Sequence, residues 1–148
     1  MSVSVRRSNS NDSRPCGRAT LLSPMASILL VDDDMDTRLV LRDFLTEAGF
    51  VVHTARDGQH ALRTLEKMDP PDLILLDYKM PVMDGKQFLG AQRKIPRLQG
   101  IPVVILSAAT REWSGAHLEV EEVLSKPVDL EVLLETVNRI FANRLSRL

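Results

Sequence analysis

The sequence predicts an α/β domain in which a doubly wound parallel sheet of five strands carries helices on both faces. Three observations lead there. From Ser27 onward, short apolar runs alternate with segments of helical periodicity, the pattern of strand and helix units wound into a parallel sheet. Four of the five runs are continuously apolar rather than alternating, as strands covered on both faces are. Polar residues gather directly after the runs, and in open parallel sheets ligands bind beyond the carboxyl ends of the strands, near the point where strand order reverses.

The elements follow in chain order. Ile28 to Val31 is the first expected strand. Asp36 to Ala48 repeats apolar residues at Leu41, Phe44, Leu45 and Ala48 and stops at Gly49, a helix end that calls for a left-handed residue. Val51 to Thr54 is the second strand. Asp57 is placed to cap a helix carrying Ala61, Leu62, Leu65 and Met68, which Pro70 and Pro71 end. Leu73 to Leu76 is the third strand, and Lys86 to Ile95 a helix halted by Pro96. Val103 to Leu106 is the fourth strand. Residues 109–119 have room for a fourth helix of little more than two turns. The fifth strand, Val120 to Leu124, is interrupted by Glu121 and Glu122, which suits an edge. Asp129 is placed to cap the last helix, whose apolar face is Leu130, Leu133, Leu134, Val137, Ile140 and Phe141.

At 148 residues and 44% apolar content, the chain suffices for one domain with a substantial core and is short for two. Residues 1–26 are rich in Ser, Arg and Asn and poor in large apolar side chains, too few to offset the entropy of ordering. They are expected to form a disordered tail, with residues 27–148 as the domain; Met25 is an alternative translation start. The tail carries Arg6, Arg7, Arg14 and Arg18 against Asp12, a net +3, so of the overall charge of −1 the remainder holds −4. A slightly acidic body argues against direct nucleic-acid binding. The single Cys16 gives no intramolecular disulfide. No stretch is long and apolar enough to span a membrane, and the tail lacks the apolar core of a secretory signal. The expected compartment is the cytoplasm.

The stretch LLVDDD, residues 29–34, puts three carboxylates after an apolar run. Each ionised pair at about 4 Å costs roughly 4 kcal/mol at an effective dielectric near 20, so the cluster calls for a positive partner: a helix start or a divalent cation. The strand ends supply the rest of a site, with Asp77 after the third strand, Ser107 after the fourth, and Lys126 followed by Pro127 after the fifth. Mg²⁺ takes oxygen ligands in near-octahedral array and keeps waters, which Asp33 and Asp77 suit, with Asp32 acting through water. A carboxylate is also a nucleophile toward phosphorus, and phosphoryl transfer needs its oxygens neutralised, roles that Lys126 and Ser107 fit.

ILLVDDD, DLILLDYKMPVMDG, PVVILSA and LSKPVD, in this order, resemble the receiver domain of two-component response regulators. The resemblance covers about residues 27–143. It implies a flavodoxin-like sheet of order 2-1-3-4-5 with five helices, the fourth short. It implies Asp77 as phosphoacceptor, Asp32 and Asp33 as the acidic metal pair, and a backbone carbonyl of Lys79 on the Mg²⁺. Ser107 becomes the switch hydroxyl and Lys126 the phosphate-binding lysine. The implied partners are a sensor histidine kinase or histidine phosphotransfer protein and a downstream protein, with no membrane. The sequence departs from the family where Tyr or Phe often stands three residues before the lysine; here that position is Val123. The usual output surface is therefore in question, and the phosphorylation chemistry is not.

Other residues have plainer readings. Asp34 and Asp36 suit a helix start, and Asp84-Gly85 a turn leading into a helix. His53, His60 and His117 lack ligand spacing, and Trp113 suits core and surface equally. The chain ends near the close of the last helix, so no output domain is expected, and the domain is expected to act as a signalling module rather than an enzyme. Two rivals are weighed. A Mg²⁺-dependent phosphohydrolase with an Asp nucleophile needs a carboxylate two residues on, where Lys79 stands. A degenerate receiver that binds partners without phosphorylation is opposed by intact Asp77 and Lys126.

Overall fold

The computed structural model describes residues 25–108 and 120–145. The short helix expected within 109–119, together with Trp113 and His117, lies outside them, as does the expected tail up to residue 24. The described elements are β1 (Ser27–Val31), α1 (Met35–Glu47), β2 (Val51–Ala55), α2 (Gly58–Glu66), β3 (Leu73–Asp77), α3 (Gly85–Arg93), β4 (Val103–Ser107), β5 (Glu122–Ser125) and α4 (Leu130–Leu145). The five strands are parallel and lie in the order β2-β1-β3-β4-β5.

Local chemistry sets the helix ends. Asp34 caps α1, accepting from the backbone N–H and the hydroxyl of Thr37. The same helix ends in a Schellman motif: Phe50 N–H donates to the Leu45 carbonyl and Gly49 N–H to that of Thr46, with Gly49 at φ 104°. Asp57 caps α2 by accepting from His60 N–H at 2.8 Å. Asp84 and Gln87 form a reciprocal capping box at the start of α3. Asp129 accepts from Glu131 N–H and Val132 N–H at the start of α4.

Strand side chains alternate between two apolar layers. Leu29, Val31, Ile74, Leu76, Val103 and Ile105 face α2 and α3, where Ala61, Leu65, Phe88 and Leu89 cover them. Ile28, Leu30, Leu73, Leu75, Val104 and Leu106 face α1 and α4, beneath Leu41, Leu45, Leu133 and Val137. Each fully buried aliphatic side chain contributes about 1.5–3 kcal/mol, so the three central strands are the most strongly held part of the molecule.

Two expectations about strands change. The run at residues 51–54 reads as covered on both faces, yet β2 is an edge strand that exposes Val51 and His53; apolar composition alone does not distinguish an edge from a centre. The fifth strand begins at Glu122 rather than Val120. As expected it lies at an edge, where Glu122 pairs with Arg139 of α4 at 2.8 Å. β3 and β4 also run one residue further than expected, so Asp77 and Ser107 are their last residues and are positioned by the ladder rather than by a loop. Among the described residues, no helix is long and apolar enough to cross a membrane.

Candidate functional site

Four neighbouring strands end at one rim. Asp32 N–H donates to the Ala55 carbonyl at 3.1 Å, carrying the ladder one residue past β1. Asp77 ends β3 opposite Leu106, and Tyr78 N–H bonds to the Leu106 carbonyl. Ser107 ends β4 and is buried, and its carbonyl accepts from Lys126 N–H at 2.9 Å. The Lys126–Pro127 peptide is cis.

Side chains converge there across long stretches of sequence. Lys126 Nζ lies 2.9 Å from Asp32 Oδ2 and 3.2 Å from Asp77 Oδ2. Carboxylate oxygens of Asp32, Asp33 and Asp77 all lie within 4.8 Å of one another. Asp32 is wholly buried, Asp77 nearly so, and Asp33 is exposed, so the cluster opens to solvent on the Asp33 side. The other oxygen of Asp32 accepts from Asp34 N–H at 2.9 Å, and the Asp32 carbonyl accepts from Arg38 Nη1 at 2.7 Å, which ties α1 to the acidic loop.

The electrostatics follow from burial and proximity. Burial, then the negative charge of Asp32, pushes the Asp77 carboxyl from its ordinary 3.8 up to about 7; the charge of Lys126 opposes the rise, and a hydrogen bond with Asp33 adds to it. Lys126 loses solvation, but hydrogen bonding and charge from Asp32, then Asp77, outweigh that loss and hold its ammonium above the ordinary value. Three carboxylates facing one ammonium leave the rim short of positive charge. Their hard oxygen donors match a divalent cation such as Mg²⁺.

The loop after β3 is tightly folded. Met83 N–H donates to the Pro81 carbonyl at 2.7 Å around Val82, whose φ of 70° is strained for a β-branched residue. Gly85 N–H returns to the Tyr78 carbonyl at 2.7 Å. A Cβ on Gly85 would sit 2.9 Å from both the Asp77 carbonyl oxygen and Tyr78 Cα, so only glycine lets α3 start this close to the end of β3. The loop also reaches α2, where Gly58 N–H donates to the Met83 carbonyl.

Of the residues expected from sequence, Asp32, Asp33, Asp77 and Lys126 are brought together, Ser107 ends the strand beside Asp77, and Lys79 is exposed two residues beyond it. Asp34, Asp57, Asp84 and Asp129 serve as caps, as expected. Sequence reasoning missed two features, the direct Asp32 pairing with Lys126 and the Arg38 brace. The first has no local signal, since 94 residues separate the pair; the second spans six residues but depends on how α1 leaves the sheet.

A family model of the response regulator receiver domain matches residues 28–138. The probable chemotaxis protein CheY of Rhizobium etli is 33% identical over 118 residues, which cover 77% of this chain and 91% of that protein. The chemotaxis response regulator CheY4 of Vibrio cholerae matches with a TM-score of 0.73 at 34% identity, covering 79% of this chain and 99% of that one. The response regulator protein TrrA of Thermotoga maritima, solved in complex with Mg²⁺-BeF, matches with a TM-score of 0.69 at 28% identity over 78% of this chain and 99% of its own.

Proposed function

The chain belongs to the response regulator receiver domain family, and from that premise we propose that Asp77 accepts a phosphoryl group, with Mg²⁺, from a phosphohistidine on a sensor kinase or phosphotransfer protein. The phosphorylated domain then controls a downstream protein or passes the group along a relay. The observation that carries this reading is the Lys126 ammonium seated between Asp32 and Asp77, with Asp33 completing a three-carboxylate cluster.

Each residue has a separate task. An ionised Asp77 oxygen forms a bond to phosphorus as the phosphorus–nitrogen bond of the donor breaks, and the leaving imidazole nitrogen keeps the electron pair. Lys126 meets the charge arriving on the phosphoryl oxygens, and the Ser107 hydroxyl donates to one of them when the group is in place. Asp33 and Asp77, with Asp32 through water and the Lys79 carbonyl, would hold the Mg²⁺. The bound ion supplies neutralisation of carboxylate and phosphoryl charge. The complex of TrrA with Mg²⁺-BeF supports that assignment.

The group acted on is the domain's own aspartate, so the protein works as a signalling module rather than as an enzyme with an external substrate, and we place it in the cytoplasm. Mg²⁺ with acetyl phosphate should add one phosphoryl group to the chain by intact-mass spectrometry, acetate leaving, and Asp77→Asn should abolish the addition. Labelling that survives the substitution moves the acceptor elsewhere. A wild-type chain that never takes the label would favour the phosphorylation-independent interaction module.

A further inference from the structure

A second charged site lies away from the rim. A groove of about 540 Å³ between β2 and α2 is lined by His53, Arg56, His60, Arg63, Thr64, Lys67 and Met68. Three of the seven, Arg56, Arg63 and Lys67, carry positive charge, and no carboxylate lines the groove. The helical contributors stand at positions 60, 63, 64 and 67, the spacing that puts side chains on one stripe of a helix. His53 faces them because β2 is an edge strand and its side chain is exposed.

The positive charge there has little internal compensation. Arg56 reaches Asp57 only at 3.9 Å, and that carboxylate is buried as the cap of α2. Among the described residues neither Arg63 nor Lys67 has an ion pair. His60 Nδ1 accepts from Arg56 N–H at 3.1 Å, which fixes the ring at the mouth of the groove, and the Thr64 hydroxyl is tied back to the His60 carbonyl. A basic groove on a body whose net charge is negative is a local feature, and its volume falls within the roughly 300–1,000 Å³ of small-molecule pockets.

We propose that this groove binds a small ligand with adjacent phosphate groups, a nucleoside polyphosphate or an inorganic polyphosphate. Guanidinium groups meet phosphate oxygens in forked geometry, and lysine meets them as a point charge. A long nucleic acid is disfavoured, because beyond the groove it would run over the acidic remainder of the surface. The site is separate from the carboxylate rim, which repels the same ligand in the absence of a metal.

Calorimetric titration of the full chain with tripolyphosphate and with a nucleoside triphosphate, in magnesium-free buffer with chelator, tests the assignment. Binding should weaken at least about tenfold in Arg63→Ala/Lys67→Ala and as salt rises from about 50 to 300 mM. It should change less than about twofold in Arg42→Ala/Arg139→Ala, which removes the same charge from the opposite face of the sheet. Arg63, Lys67 and Arg139 are exposed and Arg42 is half-buried, and thermal melts check that each double variant is folded. Stronger binding of the nucleotide assigns the groove to a nucleoside polyphosphate, and equal binding assigns it to the phosphate chain alone. Undetectable binding of both ligands, or equal loss in the two double variants, overturns the proposal.

Discussion

In the metal-free protein at pH 8, Asp77→Asn should raise stability by about 2–4 kcal/mol, and the gain should shrink as the pH falls. Burial and the charge of Asp32 lift the Asp77 carboxyl from 3.8 to about 7 in the folded state. A carboxyl raised on folding binds its proton more tightly in the folded chain than in the unfolded one. Its ionisation therefore destabilises the fold progressively from about pH 4 to pH 7, and the full penalty is present above that. About three units correspond to about 4 kcal/mol, and relaxation of the partly solvated rim brings the lower bound to about half. At pH 5 little more than one unit of the shift is expressed, so the gap between wild type and variant is only about 1–2 kcal/mol. Urea and thermal melts of both proteins with chelator at pH 5 and pH 8 measure the two gaps, at about 4 °C of midpoint per kcal/mol. A gap of the same size at both pH values, or a variant less stable than wild type at pH 8, would refute the reasoning. Millimolar Mg²⁺ should stabilise wild type more than the variant and narrow the difference.

Further outcomes follow from the packing around the rim. Lys126→Ala leaves Asp32 and Asp77 facing each other; with the lysine side chain 21% exposed, the cost in urea melts should be about 2–4 kcal/mol, alongside a loss of labelling by acetyl phosphate. Lys94→Ala, exposed at the far end of α3, should shift stability by less than about 0.5 kcal/mol. Gly85→Ala forces a Cβ against the Asp77 and Tyr78 backbone and should cost about 2 kcal/mol, whereas Gly90→Ala, in the interior of α3 with nothing within 4 Å of its Cβ, should gain about 0.5–1 kcal/mol. Val82→Asn replaces a β-branched residue at positive φ with one that tolerates it and should gain about 1 kcal/mol in the same melts.

The parts of this protein legible in its sequence are those that local physics sets. Apolar runs located all five strands, four of them continuous and the fifth broken by Glu121 and Glu122, and Asp57, Asp129 and Gly49 marked helix ends because capping acts over three or four residues. The rim was legible because parallel sheets place chemistry at strand ends, so Asp32, Asp33, Asp77 and Lys126 were identified without coordinates. What stayed hidden has no local cause. Lys126 reaching Asp32 depends on strand order, and Arg38 bonding to the Asp32 carbonyl depends on how α1 leaves the sheet. The exposure of β2 follows from its place in the sheet, not from its composition. Val82 at positive φ runs against residue preference and is imposed by the turn from Asp77 into α3. The basic stripe of α2 was present in the sequence at helical spacing, but only His53 on the neighbouring strand makes it a groove.

Val123 bears on how a change at Asp77 travels outward. It is partly buried against the layer beneath α2 and α3, and a β-branched side chain is stiff at χ1, so it has neither the reach nor the rotamers of an aromatic ring that swings between two positions. The backbone offers other connections. Tyr78 is bonded to Leu106 at the end of β4, Gly85 to Tyr78, and Gly58 to Met83. The six residues after Asp77, Tyr78 to Met83, are thus held to β4, α3 and α2 by main-chain hydrogen bonds that persist whatever side chain stands on β5. New charge on Asp77 that shifts this loop must move the start of α2 or break the Gly58 bond to Met83, which costs about 0.5–1.5 kcal/mol. Amide exchange at Gly58, compared with and without phosphorylation, distinguishes those two outcomes from a response confined to β4 and β5.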